Sequence, residues 1–250
     1  MSDSADFSLT VLGCSGSYAG PGGACSGYLV RSATTTLWVD CGPGTLANLQ
    51  EHCALGDVDA IVVSHHHPDH CGELPVIYNA AKYYAHMDRL RVICTADVRR
   101  VTDAFHSARD SSDLFDYEIV GDGDRAEVGD IAIRFSRTDH PVETLAMRFD
   151  HHRGSMLYTS DTGRDWSLAS LGEGVDLVVG EGTLLDATDH PDIPHVSCRW
   201  LAHEATAIQA RHLVVTHVPP GSDPAHHLAE AGEVFPGPLD VAAVGARYIV

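Results

Sequence analysis

The segment Ser64-His65-His66-His67-Pro68-Asp69-His70 packs four imidazoles and one carboxylate into seven residues. Four of these, His65, His67, Asp69 and His70, fall on the spacing H-x-H-x-D-H, and the segment directly follows the apolar run Ala60-Ile61-Val62-Val63. Such a run reads as a buried strand, so the donors stand where the chain leaves a sheet and turns. Imidazole nitrogen and carboxylate oxygen are the donors a borderline divalent cation such as zinc accepts, and so dense a set rarely serves one ion. The spacing predicts the start of a two-metal site, with His66 as a spacer whose ring points away from the metals.

The remaining donors should lie on strand ends of the same kind. Leu157-Tyr158-Thr159-Ser160-Asp161 and Leu213-Val214-Val215-Thr216-His217 each repeat the form of Ile61-Val62-Val63-Ser64-His65: an apolar strand, a small hydroxyl residue, then a donor. A further strand-like stretch, Ile131-Ala132-Ile133-Arg134-Phe135, runs on to Asp139-His140-Pro141. Ligand sites of α/β sheets form beyond the carboxyl ends of strands, so four such ends can converge on one cleft. The inferred assignment puts His65, His67 and His140 on one ion, Asp69, His70 and His217 on a second, and Asp161 between them. In order and chemistry these residues resemble the metallo-β-lactamase superfamily over nearly the whole chain. The resemblance implies an α/β fold, the four-layer αββα sandwich, with two divalent ions in a cleft along the edge shared by two sheets.

The elements that must position these donors suit that architecture. Strands are expected near 7–12, 26–31, 36–40, 60–64, 91–94, 131–137, 145–150, 156–160, 175–180, 213–216 and 247–250. Helices are expected near 45–53, 73–84, 97–108, 166–171, 198–211 and 225–233, with Pro75 in a first turn and Ser197 as a cap. The 250 residues suffice for one domain over 1–250, with no linker, low-complexity tract or repeat. No apolar stretch approaches the roughly 18 residues of a membrane span. The polar start Met1-Ser2-Asp3-Ser4-Ala5-Asp6 lacks the basic and apolar regions of a signal peptide, so a cytoplasmic location without a membrane partner is expected. Seven cysteines without a C-x-x-C pair read as reduced thiols. Cys71 follows His70 but, as a neighbour on a turn, points elsewhere.

Two metals activate water and hold the oxygens of a displacement for phosphodiesters and acyl compounds alike, so the surrounding residues must choose. Asp40, in Trp38-Val39-Asp40-Cys41-Gly42, matches the superfamily's early aspartate, which orients ligands through hydrogen bonds and does not bind substrate. The zinc β-lactamases best known for penicillin hydrolysis carry a cysteine where Asp161 stands, and an aspartate fits the other hydrolase branches. Diiron flavoprotein relatives replace the second histidine of the motif by a carboxylate; His67 therefore favours zinc, with manganese or iron as alternatives. The block Gly180-Glu181-Gly182-Thr183-Leu184, followed by Pro194-His195-Val196-Ser197, resembles the ribonuclease Z branch and its Glu-x-Thr and His-x-Ser/Thr elements. This implies that His195 contacts the scissile phosphate and that Glu181 holds it; with Asp69 they are the catalytic candidates. A 3′ alkoxide leaves poorly without a proton or a cation, and a histidine kept protonated by a buried carboxylate suits that need.

The departures from that branch bear on the substrate. Ribonuclease Z grips tRNA with a long arm inserted between the third metal histidine and the bridging aspartate. Here that interval is 141–160, and two expected strands use most of it. The formal charge is -19, with 16 basic side chains against 35 acids, and an acidic chain repels a long polyanion. After His217, Val218-Pro219-Pro220-Gly221 replaces the Ser-x-Arg-Tyr type sequence common in that family. The stretches 12–17, 26–29 and 213–220 resemble an actinobacterial subgroup that hydrolyses 3′,5′-cyclic nucleotides. The expected partner is thus a small phosphodiester, a cyclic nucleotide first, attacked by a metal-bridging hydroxide, and no long nucleic acid. The alternatives are a ribonuclease Z-like tRNA 3′ endonuclease or a thioester, lactone or lactam hydrolase on the same scaffold. A metal-dependent sensor has little support, because every expected donor is present. A homodimer is left open.

Four smaller expectations complete the reading. The glycine-rich loop 13–23 is read as presenting backbone N–H groups to phosphate, which makes Ser15, Gly16 and Ser17 substrate-binding candidates. His190, in the loop Asp186-Ala187-Thr188-Asp189-His190-Pro191-Asp192, is read as part of a lid. His151-His152 and His226-His227 are expected to face solvent. The acid-rich stretch 110–130 reads as a solvated connection.

Overall fold

Period-two alternation in the strands sorts their side chains onto two faces, and the computed structural model, which describes residues 6–106, 110–190 and 192–250, uses both. The first sheet is built from β1 (Ser8–Gly13), β2 (Gly27–Arg31), β3 (Thr36–Val39), β4 (Ala60–Val63), β5 (Leu90–Cys94) and β6 (Phe115–Ile119). The second contains β7 (Arg125–Val128), β8 (Ile131–Arg137), β9 (Leu145–His151), β10 (Gly154–Tyr158), β11 (Leu177–Glu181), β12 (His212–Thr216) and β13 (Leu239–Val241). The last strand, β14 (Arg247–Ile249), returns to pair antiparallel with β1, so each sheet has seven strands.

The strands that carry the site run parallel within each sheet: β3 to β6 in the first, β10 to β13 in the second. The inner ones, β3 to β5 in the first sheet and β11 and β12 in the second, are largely apolar because both of their faces are covered. In β4, Ala60 and Val62 join the core between the sheets while Ile61 and Val63 join the layer under the helices. In β12, Val214 faces the other sheet and Leu213 and Val215 face the helices. Each fully buried Val, Leu or Ile contributes about 1.5–3 kcal/mol through apolar burial. Helices α1 (Thr45–Leu49), α2 (Pro68–Cys71), α3 (Leu74–Asn79) and α4 (Ala96–Phe105) belong to the first half, and α5 (Cys198–Ala207) and α6 (Pro224–Gly232) to the second. The result is the αββα sandwich.

All eleven expected strands are present within about two residues of their expected bounds. Three were not expected. The stretch 110–130 is not a solvated connection: it carries β6 and β7, the edge strands of the two sheets. Their charges hid them. In β6 only Phe115 is buried, while Asp116 and Glu118 pair with Arg89 at 2.7 Å and Arg91 at 2.5 Å on the neighbouring segment. In β7, buried Ala126 and Val128 alternate with exposed Arg125 and Glu127. Charged edge strands of this kind resist pairing with other chains.

The helices needed more correction. The expected helix 166–171 is a 3₁₀ turn over Leu168–Leu171, and 45–53 stops at Leu49. Helix 73–84 is α-helical to Asn79 and then widens into π-type turns over Ala80–Tyr84. α5 ends at Ala207, short of 211, and α2, inside the histidine motif, was unforeseen. Residues 107–108 of the expected helix 97–108, and the start 1–5, lie outside the described residues. Pro75 does stand in the first turn of α3, and Ser197 caps α5 by accepting the Trp200 N–H at 3.3 Å. The interval 141–160 is filled by the β9–β10 hairpin, with no inserted arm. Among the described residues no helix is long and apolar enough to cross a membrane.

Candidate metal centre

Six strand ends meet at one edge of the sandwich: β3 leads to Asp40, β4 to His65, β8 to His140, β10 to Asp161, β11 ends on Glu181 and β12 leads to His217. At three of these the chain leaves the strand in the left-handed region, at Asp40 (φ 54°), Ser160 (φ 53°) and His217 (φ 61°), and Ser17 across the cleft does the same (φ 63°). Non-glycine residues rarely adopt this conformation, and it costs of order 1–3 kcal/mol each. Its concentration here marks the edge where backbone strain aims side chains inward.

The donors form two groups that share Asp161. His65, His67, His140 and Asp161 lie with one donor atom of each within 4.8 Å of the others, and so do Asp69, His70, Asp161 and His217. The two oxygens of Asp161 divide between them. Oδ2 faces His65 Nε2 at 3.7 Å and His140 Nε2 at 4.0 Å, whereas Oδ1 faces His70 Nε2 at 3.2 Å and His217 Nε2 at 3.4 Å. Asp69 Oδ2 completes the second group, 3.3 Å from His217 Nε2. His66 and Cys71 belong to neither; the Cys71 thiol donates to the His66 carbonyl.

Two observations test whether divalent ions fit. His65 Nε2 and Asp161 Oδ1 are buried polar atoms without a hydrogen-bond partner among the described residues, which is costly unless something unseen satisfies them. Asp40, Asp69, Asp161 and Glu181 also bring carboxylates into a buried cleft, and among the described residues their ion pairs are all with histidines. Divalent cations satisfy both conditions, and the two His/Asp groups suit a dinuclear site.

The outward nitrogens fix the tautomers. His140 Nδ1 lies 3.1 Å from the Pro194 carbonyl, which can only accept, so Nδ1 carries the proton and Nε2 offers its lone pair inward. His70 Nδ1 donates to Asp40 Oδ2 at 2.8 Å. The Ser64 hydroxyl donates to the same Asp40 oxygen (2.9 Å) and so accepts from His65 Nδ1 (3.0 Å). The Thr183 hydroxyl donates to Glu181 Oε2 (2.6 Å) and accepts from His217 Nδ1 (2.8 Å). Such partners orient metal-binding histidines. Burial holds the pKa of His65 well below its ordinary value, and those of His67 and His140 below theirs, which keeps their lone pairs free. Burial works the same way on His70, but the charges of Asp161 and Asp40 outweigh it and raise that pKa well above normal. Asp161 lies well below the carboxylate range despite its burial, because His217 and His70 stand beside it.

Glu181 and His195 form the second layer of the site. Glu181 is buried; its Oε1 accepts the Thr162 N–H and its two oxygens stand 3.1 Å from His195 Nδ1. Burial opposes the charge on His195, but the Glu181 carboxylate prevails and raises the pKa to about 9. The His195 ring lies over His217 (5.3 Å between centroids) and beside His140 (5.5 Å). Next to His140 opens a cavity of about 340 Å³ lined in part by Asp139, Arg164, Asp165, Asp192 and Ile193.

Some expectations need correction. The three candidates of the loop 13–23 do not offer free N–H groups to phosphate: Ser15 donates to Ala24, Gly16 to Val218, and Ser17 to Asp69 Oδ2 at 2.9 Å. The loop orients a candidate ligand instead, because Gly16 packs so close to His217 that a Cβ would clash with its backbone. His190 is exposed and turned onto its own loop, accepting the Asp192 N–H. His151 does not face solvent; its side chain is covered and bonded to Asp130. His227 is likewise buried, at 1% exposure, and donates to the Gly182 carbonyl. Tyr158, which donates to Asp40 at 2.8 Å across the two sheets, was missed; a tyrosine two residues before the bend at Ser160 was the available signal. Ser64 was visible only as the small hydroxyl residue before His65, and Thr183 only as the threonine of the Glu-x-Thr element.

Comparison with known proteins agrees with this fold. Residues 35–218 match the family model of the beta-lactamase superfamily domain. An uncharacterised protein of Mycobacterium tuberculosis is 32% identical over 240 residues, covering 92% of this chain and 88% of that protein. The ribonuclease Z of Methanopyrus kandleri is 28% identical over 273 residues, 91% of this chain and 92% of that protein. Among solved structures, the metallo-β-lactamase fold protein YhfI of Bacillus subtilis aligns with a TM-score of 0.89 at 26% identity, over 98% of this chain and all of that one.

Proposed function

Because the chain belongs to the metallo-β-lactamase superfamily as a metallo-hydrolase, we propose that it hydrolyses a small phosphodiester, a 3′,5′-cyclic nucleotide first, with two zinc ions. His65, His67 and His140 would hold one ion, Asp69, His70 and His217 the other, and Asp161 both. The histidine-rich donor set favours zinc, with manganese or iron as the alternatives. One observation carries the choice of phosphodiester: a histidine tied to a buried glutamate, stacked over the edge shared by the two donor groups.

When bound, two such ions supply a nucleophile at neutral pH and positive charge for phosphoryl oxygens. The chain supplies the rest. Glu181 holds His195 by Nδ1 and favours its protonated form, so Nε2–H can bond the phosphate or give its proton to the departing 3′ oxygen. Asp40, Ser64, Thr183 and Pro194 keep the lone pairs of four histidines turned inward. The cavity beside His140 has room for the organic part of a small substrate, and its aspartates disfavour a second phosphate there. A cyclic monophosphate carries one negative charge, and at physiological salt repulsion from remote acids is screened beyond about 8 Å. The absent arm and the charge of -19 support a small substrate over tRNA.

The test compares leaving groups. His195→Ala should retain both metals yet lose about 100-fold or more in turnover of a cyclic nucleotide. The loss should shrink on bis-p-nitrophenyl phosphate, whose leaving group needs no proton. Equal losses on both would assign His195 to phosphate binding. No loss on either would overturn the phosphodiester reading in favour of an acyl substrate.

A further inference from the structure

Glu181 and Thr183 flank Gly182, and what holds Gly182 decides where both side chains point. The Gly182 N–H donates to the Thr216 carbonyl of β12 at 3.0 Å. Its carbonyl accepts from His227 Nδ1 at 2.9 Å and from the Cys198 thiol at 3.4 Å. There is no slack, since a Cβ here would lie 2.6 Å from Val215 Cγ1 and 2.7 Å from Cys198 Sγ. His227 comes from α6, on the buried face it shares with Ala231. One turn further, Glu230 accepts the backbone N–H groups of Asp186 (2.9 Å) and Arg199 (3.1 Å). α6 therefore grips the segment 182–199 near both ends, and that segment carries His195.

We propose that His227 is a positioning residue for the Glu181–His195 pair, acting through the Gly182 carbonyl. The inference rests on the functional reading of that pair given above. A peptide carbonyl can only accept, so His227 Nδ1 carries the proton. Burial lowers the ring's pKa, consistent with a neutral donor. An apolar residue would fill the same space but leave the carbonyl only the weak thiol donor. The turn would then lose the stronger of the two donors that hold its carbonyl, and the carboxylate of Glu181 and the hydroxyl of Thr183 would shift relative to His195 and His217. Near reacting atoms small displacements are expensive; about 1 Å can cost roughly 100-fold.

The experiment uses the full metal-loaded chain with His227→Leu and His227→Asn, beside Glu181→Gln and His195→Ala. The side-chain nitrogen of asparagine lies the same number of bonds from the backbone as Nδ1, so it can restore the donor. Metal content, melting temperature, kcat and KM are measured on a 3′,5′-cyclic nucleotide and on bis-p-nitrophenyl phosphate. Hydrogen exchange of the segment 182–199 is followed in parallel. His227→Leu should keep both metals, lose about tenfold or more in kcat on the cyclic nucleotide with little change in KM, and lose less on the p-nitrophenyl ester. Exchange in 182–199 should quicken, and His227→Asn should recover most of the activity. If His227→Leu does not fold, His227→Gln, whose donor sits one bond too far out, takes its place with the same expectation. Wild-type turnover in the leucine variant, or a folded, metal-loaded asparagine variant with no recovery, overturns the inference. If Glu181→Gln and His195→Ala are themselves without effect, the functional reading has failed instead.

Discussion

Replacing Asp40 by asparagine keeps the size of the side chain and removes one charge and half of its accepting capacity. In the wild type Oδ1 accepts the Ser64 N–H (2.8 Å), while Oδ2 accepts from the Ser64 hydroxyl (2.9 Å), His70 Nδ1 (2.8 Å) and the Tyr158 hydroxyl (2.8 Å). If the amide oxygen stays with Ser64 N, the new NH₂ faces His70 Nδ1, which must become an acceptor. Its proton then moves to Nε2, the atom that stands with Asp69, Asp161 and His217, and the lone pair offered to the metal disappears. If the amide flips, the Ser64 N–H meets an NH₂ and goes unpaired. Either arrangement leaves a buried donor or a wrong tautomer, at a cost of about 1–3 kcal/mol. The loss of an orienting partner typically weakens metal affinity about 10- to 100-fold. Chelator competition should show that loss chiefly for the ion at Asp69, His70 and His217, and denaturant unfolding of the metal-free variant should show the loss of stability. Unchanged affinity at both sites would refute the tautomer argument, even if the variant were less stable.

Two further outcomes are expected. Binding to precursor tRNA near 0.15 M salt should be no tighter than about 10⁻⁶ M, as for non-specific contacts; sub-micromolar binding with cleavage at the 3′ end of the acceptor stem would show that a local basic surface outweighs the net charge. At Asp130, burial pushes the carboxyl pKa up, but donors from Ser32 (2.5 Å), Thr35 (2.7 Å) and His151 (3.2 Å) prevail and hold it below its ordinary range. A depressed folded pKa contributes stability above the unfolded value of about 3.9, and that contribution is lost as the pH falls towards the folded one. Asp130→Asn should therefore melt below wild type at pH 7, with the gap closing below about pH 4; a gap constant down to pH 3 would contradict it.

The seven candidate donors could be picked out locally: His65, Asp161 and His217 each follow an apolar strand and a small hydroxyl residue, His67, Asp69 and His70 complete the H-x-H-x-D-H spacing, and His140 follows a strand-like stretch; such patterns need no knowledge of distant contacts. The same locality explains the eleven strands found and the three missed. β6, β7 and β13 lie at sheet edges or at its periphery, where half-burial and charge blur the alternation. What required the tertiary structure was every hydrogen bond between residues distant in the chain. Tyr158 reaches Asp40 across 118 residues, Thr183 reaches His217, and the loop at Ser17 gives its N–H to Asp69 rather than to solvent. The division of Asp161 between two donor groups, one oxygen each, belongs here too. His227 is the clearest case, since its doublet with exposed His226 looks polar in the chain. Only the packing of α6 on the turn after β11 gives its proton a carbonyl to meet. A strand's periodicity records which side chains are covered, but the angle and register at which two sheets stack depend on all their side chains at once, and that decides which donor meets which acceptor.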